Sequence, residues 1–267
     1  MKVYSAFTYN GEIDMLRLHL NILGPYVDRF IIVEANKTFT GKDKPMYFFQ
    51  QERYVEPFWK KISYYAVTDW KDKELWSLAH ASPNTRGAEH WAREFYIKEN
   101  VLDALRQEKL HDEDLCLVGD VDEILDPTIS FASDGPIKAR LRVYAYYLDN
   151  LSDEQFWGTL VAQYKDIKGQ CLNHMRSDKS LYSKGDYLGW HFTSMGGEAM
   201  VRRKLNDSYT AQSYNTPEVQ QMLSERLSQG KDYLGRPFNF KLDTTDWPDY
   251  LKAHHRKFDH LCYPKSR

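Results

Sequence analysis

The first 34 residues carry the pattern that constrains the fold most, since a strand, a helix and a second strand follow one another there. Val3 to Thr8 is rich in β-branched and aromatic residues, which predicts a strand. Apolar residues then recur at spacings of three and four, and this predicts a helix that ends at Gly24-Pro25. Phe30 to Val33 is a continuous apolar run, typical of a strand buried on both faces. This βαβ opening predicts an α/β fold.

Further elements follow along the chain. The patterns predict strands at Ile62 to Val67, Asp114 to Val118, Arg140 to Tyr147 and Tyr187 to Thr193, helices at Ala88 to Arg106 and Pro217 to Ser228, and irregular segments at 36–50, 68–86 and the last 40 residues. We therefore expect a Rossmann-like, mostly parallel central sheet flanked by helices. The absence of an obvious linker predicts a single domain over residues 1–267 with an irregular C-terminal extension.

Composition narrows the functional classes. The formal net charge is -2, without a basic arm, which argues against electrostatic binding of nucleic acid. Aromatic residues make up 15% of the chain, a surplus that suits a sugar-handling surface as well as a core.

The cellular setting is predicted from three local features. The three cysteines are scattered and form no C-x-x-C pair, so a disulfide framework or a zinc knuckle is not expected. The first residues lack the apolar stretch of a signal peptide. Nowhere does an apolar run reach the length of a transmembrane helix. We therefore expect a soluble protein in a reducing, cytoplasmic setting.

Four carboxylates crowd the segment after the apolar strand, namely Asp120, Asp122, Glu123 and Asp126. If that segment is extended, Asp120 and Asp122 point the same way, roughly 6.5 Å apart. They would then repel by about 2.5 kcal/mol at an effective dielectric of about 20. A divalent metal would offset this repulsion, and carboxylates suit Mg²⁺ or Mn²⁺. A protonated carboxylate and a solvated acidic turn are the alternatives.

Five segments, taken in order, carry a family resemblance. They are Phe7-x-Tyr9-x-x-Glu12-Ile13-Asp14-Met15-Leu16, Val27-Asp28-Arg29-Phe30-Ile31-Ile32-Val33-Glu34, Arg93-Glu94, Gly119-Asp120-Val121-Asp122-Glu123-Ile124 and Gly189-Trp190-His191-Phe192. Together they resemble glycosyltransferase family 17. The resemblance implies a GT-A-like fold, UDP-GlcNAc as donor, a divalent metal such as Mn²⁺, a glycan or glycoconjugate acceptor and inversion at the anomeric carbon. Residues 1–150 would then form the nucleotide-sugar-binding half, and 151–267 the acceptor-side half with the C-terminal extension.

The resemblance also assigns metal ligands. Asp120 and Asp122 match the D-x-D motif, and we expect Asp122 foremost to hold Mn²⁺ (or Mg²⁺). Asp120 would share the ion or hold the donor ribose or sugar. His191 would be a further metal ligand or a diphosphate contact, unless it is a hydrogen-bonded histidine packed beside Trp190. Glu123 would orient its neighbours.

Donor-binding residues are expected near the first two strand ends and on the long helix. Phe7 and Tyr9 end the first strand, where a ring could stack on uracil or pack in the core. Glu12 and Glu34 match acidic positions of the family and would bind donor groups or cap the first helix. Arg93 would grip phosphate as a planar fork or pair with a neighbouring glutamate, Glu94 or Glu89.

Inversion requires a general base that accepts the proton of the acceptor hydroxyl. Glu198 is the first candidate because it follows Met195-Gly196-Gly197, a stretch expected to be flexible. Asp149, after the fifth strand, is the second, and Glu12 and Glu34 stay possible.

Two other functional classes compete with sugar transfer. A metal-dependent phosphohydrolase or nuclease also gathers carboxylates, but the sequence has no second acidic cluster for a two-metal site. A non-catalytic carbohydrate-binding protein would use the aromatic residues, but it has no need of a diphosphate-binding metal.

Overall fold

Helices pack on one β-sheet in this protein. The computed structural model describes residues 1–71, 73, 76–77, 89–129, 135–207 and 214–264, and every structural statement below concerns these residues. The strands are β1 (Val3–Tyr9), β2 (Arg29–Ala35), β3 (Ile62–Val67), β4 (Leu115–Asp120), β5 (Glu123–Leu125), β6 (Ile137–Ala145), β7 (Asn150–Gln163), β8 (Gly189–Thr193) and β9 (Phe240–Leu242). The α-helices are α1 (Ile13–Leu23), α2 (Glu52–Val55), α3 (Glu89–Gln107), α4 (Tyr164–Ile167), α5 (Leu172–Ser177), α6 (Gly197–Asp207), α7 (Pro217–Ser228) and α8 (Asp249–His254). Short 3₁₀ segments occupy Phe48–Gln51, Glu56–Lys61, Lys179–Leu181 and His255–Leu261.

The strands of the sheet run in mixed directions. Their order is β3-β2-β1-β4-β7-β6-β8-β5, and β9 pairs with β7. The first four strands are parallel, as the βαβ opening predicts. β7 runs antiparallel to both β4 and β6, and β5 runs antiparallel to β8. The expected mostly parallel sheet is therefore wrong beyond β4, because a short connection between β6 and β7 permits only antiparallel pairing.

The first half of the chain follows the sequence pattern closely. β3 and α7 have the predicted bounds, and α1 ends at Leu23, directly before the predicted stop. The long helix α3 begins at Glu89 in the described residues. The predicted start at Ala88 and most of the predicted loop 68–86 lie outside the described residues.

The second half holds elements that the sequence did not predict. β7 is a strand of 14 residues, and α6 is a helix of 11 residues that begins at the glycine pair. The segment predicted to be an irregular C-terminal extension contains β9, α8 and a 3₁₀ segment. It also buries Trp247, Leu251 and Phe258 in the same cluster as α1. Its apolar residues are too irregularly spaced to predict a helix or a strand, yet they complete the core.

Two apolar clusters sandwich the parallel strands. Phe7 of β1 packs into the cluster that contains α1, whereas Ala6 packs into the cluster that contains α3. This alternation follows from the period of two in a strand. The parallel pairing of β1 with β2 and with β4 brings the carboxyl ends of the three strands to one edge of the sheet. None of the described helices is both long and apolar enough to cross a membrane.

Candidate functional site

A cleft of about 580 Å³ opens at the carboxyl ends of the parallel strands. The last residues of these strands, Tyr9, Ala35 and Asp120, all line it. Lys98 of α3 and Arg203 of α6 line its walls. Ligands of open α/β sheets bind beyond the carboxyl ends of the strands, so this cleft is the candidate site.

Asp120, the first aspartate of the D-x-D motif, is held by the protein itself. The parallel pairing of β1 and β4 sets it beside Thr8, whose hydroxyl donates to Oδ1 over 3.0 Å. Arg176 Nη2 lies 3.1 Å and Lys98 Nζ 3.6 Å from Oδ2. Burial would raise the pKa of Asp120, but the guanidinium of Arg176 and the ammonium of Lys98 outweigh it and hold the pKa far below its usual range. The negative charge of Asp120 is therefore already compensated by two cations.

Asp122, the second aspartate, reaches the same cleft by a different route. Val121 and Asp122 form a turn, so the extended geometry expected from the sequence is wrong. The Asp122 carboxylate faces His191, with 3.6 Å between Oδ2 and Nε2. Burial opposes ionisation of Asp122, yet His191 and Lys204 lower its pKa overall.

His191 lies on β8 opposite Glu123, a position that the antiparallel pairing of β5 and β8 fixes. Its ring stacks on Phe156 at a centroid distance of 4.1 Å. Burial lowers the pKa of His191, but Asp122 and Glu123 raise it by more. Its Nδ1 is buried and has no hydrogen-bond partner among the described residues. His191 thus lines the cleft with a ring whose Nε2 faces Asp122, while its Nδ1 is buried.

Glu12 also lines the cleft, directly after β1. Its Oε2 accepts a hydrogen bond from the backbone N–H of Asn10 at 2.9 Å, and its side chain does not cap α1. Burial, and next the negative charge of Asp122, raise the pKa of Glu12. Glu12 and Asp122 therefore form a pair of carboxylates whose charges are less well compensated than that of Asp120.

Glu123 is buried behind these residues, with 3% of its surface exposed. It accepts hydrogen bonds from Thr159 Oγ1 at 3.0 Å and from Arg176 Nη2 at 3.3 Å. A Cβ at Gly119 would approach Glu123 Oε2 to 2.6 Å, so the space that this glycine leaves open is filled by Glu123. Because Arg176 binds both Glu123 and Asp120, the buried glutamate helps to fix the cation at the motif.

Three of the expected donor-binding residues, Phe7, Glu34 and Arg93, do not line the cleft. Phe7 is 1% exposed and packs on the His19 ring, so the core alternative describes it. The carboxylate of Glu34 is fully buried and accepts hydrogen bonds from Lys44, from the Tyr64 hydroxyl and from two backbone N–H groups of the loop after β2. Tyr9 does line the cleft, and its buried hydroxyl has no partner among the described residues.

Arg93 holds a loop in place. Its Nη1 donates to the carbonyl of Phe39 at 2.8 Å, and its guanidinium lies beneath Gly41, where an added Cβ would approach it to 3.0 Å. Glu89, one of its two expected ion-pair partners, has a side chain outside the described residues. Arg93 therefore ties α3 to the loop that forms one rim of the cleft.

Neither favoured base candidate lines the cleft. Glu198, in the first turn of α6, pairs with Arg202 at 2.7 Å and accepts a hydrogen bond from Ser224, and both contacts lower its pKa. Asp149 accepts a hydrogen bond from the backbone N–H of Tyr263 at 2.7 Å. Among the four carboxylates considered as the base, Glu12 alone borders the cleft in the described structure.

The cations of the site are residues that the sequence patterns did not predict. Lys98 and Arg176 bind Asp120, and Arg203 and Lys204 of α6 line the same cleft. The sequence does carry a signal for Lys98, because it follows Glu94 by four residues and the two side chains lie on the same face of α3. Arg176 lies on the short helix α5, which shows no periodic pattern, and carried no such signal.

Whether the site suits a divalent metal depends on the donor set. In the described part of the chain, no three His, Cys, Asp or Glu side chains converge as a metal-binding group. Mg²⁺-type ions at phosphate-transfer sites are held by one or two carboxylates together with substrate phosphates, so a full protein cage is not required. Asp122 fits such a role better than Asp120, whose oxygens are engaged by Thr8, Arg176 and Lys98.

Comparison with known families agrees with the resemblance of the five segments. No curated protein matches the chain closely enough to be reported as a relative. Residues 1–204 match the model of glycosyltransferase family 17, a span that contains both motif aspartates, Glu12 and His191. Since the match covers well over half of the chain and most of the cleft, the chain belongs to glycosyltransferase family 17.

Proposed function

We propose that this glycosyltransferase moves a sugar, with GlcNAc as the favoured one, from a UDP-sugar to a hydroxyl of a glycan or glycoconjugate acceptor. The observation that carries the proposal is the charge arrangement of the cleft. The carboxylates Glu12 and Asp122 line one cavity together with cations of the flanking helices. Such a site supplies a carboxylate that can accept the proton of the acceptor hydroxyl and cations that can bind the leaving diphosphate. The parallel half of the sheet supports a GT-A-like arrangement.

The cationic wall supports diphosphate as the leaving group. Transfer breaks the bond between the anomeric carbon and a phosphate oxygen, and negative charge develops on the diphosphate. Lys98, Arg203 and Lys204 line the cleft, where preorganised cations stabilise such charge. Arg203 is oriented by its hydrogen bond to the Asn10 carbonyl at 2.6 Å.

A divalent ion, Mn²⁺ or Mg²⁺, belongs to the proposal. Asp122 would hold it together with donor phosphate oxygens, and His191 lies beside Asp122 with 3.6 Å between Nε2 and Oδ2. When bound, such an ion supplies Lewis-acid stabilisation of the leaving diphosphate. Asp120 keeps its own two cations and would instead orient the donor.

For inversion we propose Glu12 as the general base. In a single displacement, the acceptor oxygen bonds to the anomeric carbon as the bond to the diphosphate breaks. The proton of the acceptor hydroxyl passes to a carboxylate. Glu12 borders the cleft, whereas Glu198 and Asp149 are engaged elsewhere. The choice of Glu12 rests on this placement.

The decisive experiment compares ligands on the intact chain. We expect UDP with Mn²⁺ to raise the melting temperature more than either alone, and CDP or GDP with Mn²⁺ to do so less. A panel of UDP-sugars should then show slow metal-dependent hydrolysis, fastest with UDP-GlcNAc, and NMR of the first-formed anomer reports inversion. Hydrolysis of nucleic acid or phosphomonoesters without any response to UDP would favour a phosphohydrolase, and binding of free glycan alone would favour a lectin.

A further inference from the structure

Glu94 of α3 carries a buried oxygen with no assigned partner. The residue is 5% exposed and borders the cleft. Its Oε1 binds Lys98 Nζ at 2.7 Å, but Oε2 is buried and has no hydrogen-bond partner among the described residues. Buried polar atoms are nearly always satisfied, since leaving one unpaired is costly. An oxygen left in this state beside a cleft indicates that a ligand satisfies it.

Glu94 borders apolar as well as charged residues of the cleft. Ile97 follows it by three positions on α3 and lines the same cleft. Ala35 and Phe39 line the cleft from the end of β2 and the loop beyond it. Arg93 fixes that loop against α3 through the Phe39 carbonyl, at 2.8 Å. This part of the cleft therefore combines apolar walls with one buried acceptor, which suits a flat, mostly apolar group that carries a hydrogen-bond donor.

The position of Glu94 relative to the motif separates it from the reacting centre. Lys98 links Glu94 to Asp120, and Thr8 completes this chain on the α3 side of β1. On that strand Thr8 and Tyr9 point to opposite faces, and Tyr9 packs in the apolar cluster that contains α1. Glu94 thus stands next to a cation and apart from Glu12, the proposed general base.

We propose, on the basis of the function proposed above, that Glu94 recognises the nucleoside of the donor. Its free oxygen accepts a hydrogen bond from that nucleoside, either from the N3–H of uracil or from a ribose hydroxyl. Ile97 and Phe39 flank the nucleoside, and Lys98 meets the first phosphate. From Glu94 through Lys98 to the motif, the protein groups then follow the donor from its nucleoside to its diphosphate.

The test measures the dissociation constants of UDP, N3-methyl-UDP, 2′-deoxy-UDP and 3′-deoxy-UDP, with Mn²⁺, for the wild type and for Glu94→Gln. In the variant the amide oxygen faces Lys98. The NH₂ group then faces the N–H or O–H of the nucleoside, and two hydrogen-bond donors cannot pair. We expect Glu94→Gln to weaken UDP by about 10-fold or more, as a lost hydrogen bond to a charged group does. Asp103→Asn is the matched control, because it removes a carboxylate from an exposed ion pair on the same helix.

Binding of the analogues to the wild type identifies which group of the nucleoside donates the hydrogen bond. This measurement does not require the variant to fold. One analogue should bind the wild type at least about 10-fold more weakly than UDP, and Glu94→Gln should abolish that difference. A loss with N3-methyl-UDP identifies the base, and a loss with a deoxy analogue identifies the ribose. Equal UDP binding by the wild type and Glu94→Gln would overturn the assignment while leaving the proposed donor intact. Failure of the wild type to bind UDP at all would instead overturn the proposed donor.

Discussion

The guanidinium of Arg176 lies 3.1 Å from the carboxylate of Asp120, and its other contact, at 3.3 Å, is with Glu123. Arg176 comes from α5, a helix of six residues far along the chain from the D-x-D motif. Its presence makes the two aspartates of the motif inequivalent. Asp120 forms ion pairs with two cations, whereas the ion-pair partner of Asp122 among the described residues is His191 at 3.6 Å, with a smaller contribution from the charge of Lys204.

Asp122→Asn should abolish metal-dependent binding of UDP and turnover, because it removes the carboxylate that we assign to the ion. The fold should stay intact, since the amide has nearly the same shape. Thermal shift with UDP and Mn²⁺ measures the binding, and circular dichroism checks the fold. Near-wild-type turnover in this variant would contradict the assignment.

Asp120→Asn should instead lower stability. It leaves Arg176 and Lys98 without their shared carboxylate, and removing one partner of a largely buried ion pair costs about 1–3 kcal/mol. Urea unfolding of the ligand-free protein measures this cost. A variant as stable as the wild type would show that the two cations do not depend on Asp120.

Glu12→Gln should reduce kcat by roughly 100-fold or more and leave the affinity for UDP with Mn²⁺ nearly unchanged, as expected when a general base is lost. Glu198→Gln and Asp149→Asn serve as matched controls and should retain turnover, because both carboxylates are engaged outside the cleft. Steady-state kinetics with the preferred UDP-sugar distinguish the three. A Glu198→Gln variant that lost turnover while Glu12→Gln kept it would return Glu198 to the role of base.

Acid should destabilise the protein through His19, a buried residue of α1. Its Nδ1–H donates to the Val121 carbonyl at 3.0 Å, so its Nε2 accepts from the Ser5 hydroxyl at 2.8 Å and the ring is neutral. Burial lowers the pKa of His19 from 6.5 to about 4. Between these values the unfolded chain binds more protons, so the free energy of unfolding rises with pH across this window.

The contribution of His19 is lost as the pH falls from 6.5 to about 4, and it amounts to about 3 kcal/mol in total. Urea unfolding between these pH values measures the loss, and NMR titration of the ring gives the pKa directly. His19→Gln should flatten this part of the pH profile. A ring that titrates near 6.5 in the folded protein would contradict the prediction.

Gly119→Ala should destabilise the protein by about 1–3 kcal/mol, as overpacking of a core does. The new Cβ would lie 2.6 Å from Glu123 Oε2 and 2.7 Å from Thr159 Oγ1, and both side chains are buried. Gly169→Ala is the control, because a Cβ there meets nothing within 4 Å. Equal stability of the two variants would show that Glu123 shifts without cost.

Local patterns predicted the parallel half of the fold. The helical spacing of α1 and the apolar runs of β1 and β2 are visible in nearby residues. Burial of one helix face gives a periodic apolar pattern, and burial of both strand faces gives a continuous apolar run. The antiparallel half was not predicted in this detail. The long strand β7 alternates only in places, and its pairing with β4 and β6 depends on residues far apart in the chain.

The candidate site divides in the same way. Consecutive residues placed Asp120 and Asp122 after a buried strand, and the five segments indicated the family to which the chain belongs. They did not reveal that Glu34 accepts hydrogen bonds from a loop, that Glu198 forms an ion pair with Arg202, or that Glu12 borders the cleft.

The sequence by itself determined the α/β opening, the strand-end carboxylates and the family, because these reside in local periodicity and in the order of short motifs. Only the tertiary structure decided which charges meet. Arg176 reaches Asp120 across a separation of 56 residues, and His191 reaches Asp122 through the pairing of β5 with β8. Charges compensate one another when they lie within a few ångströms in space, whatever their separation along the chain. The sequence itself records only the separation along the chain.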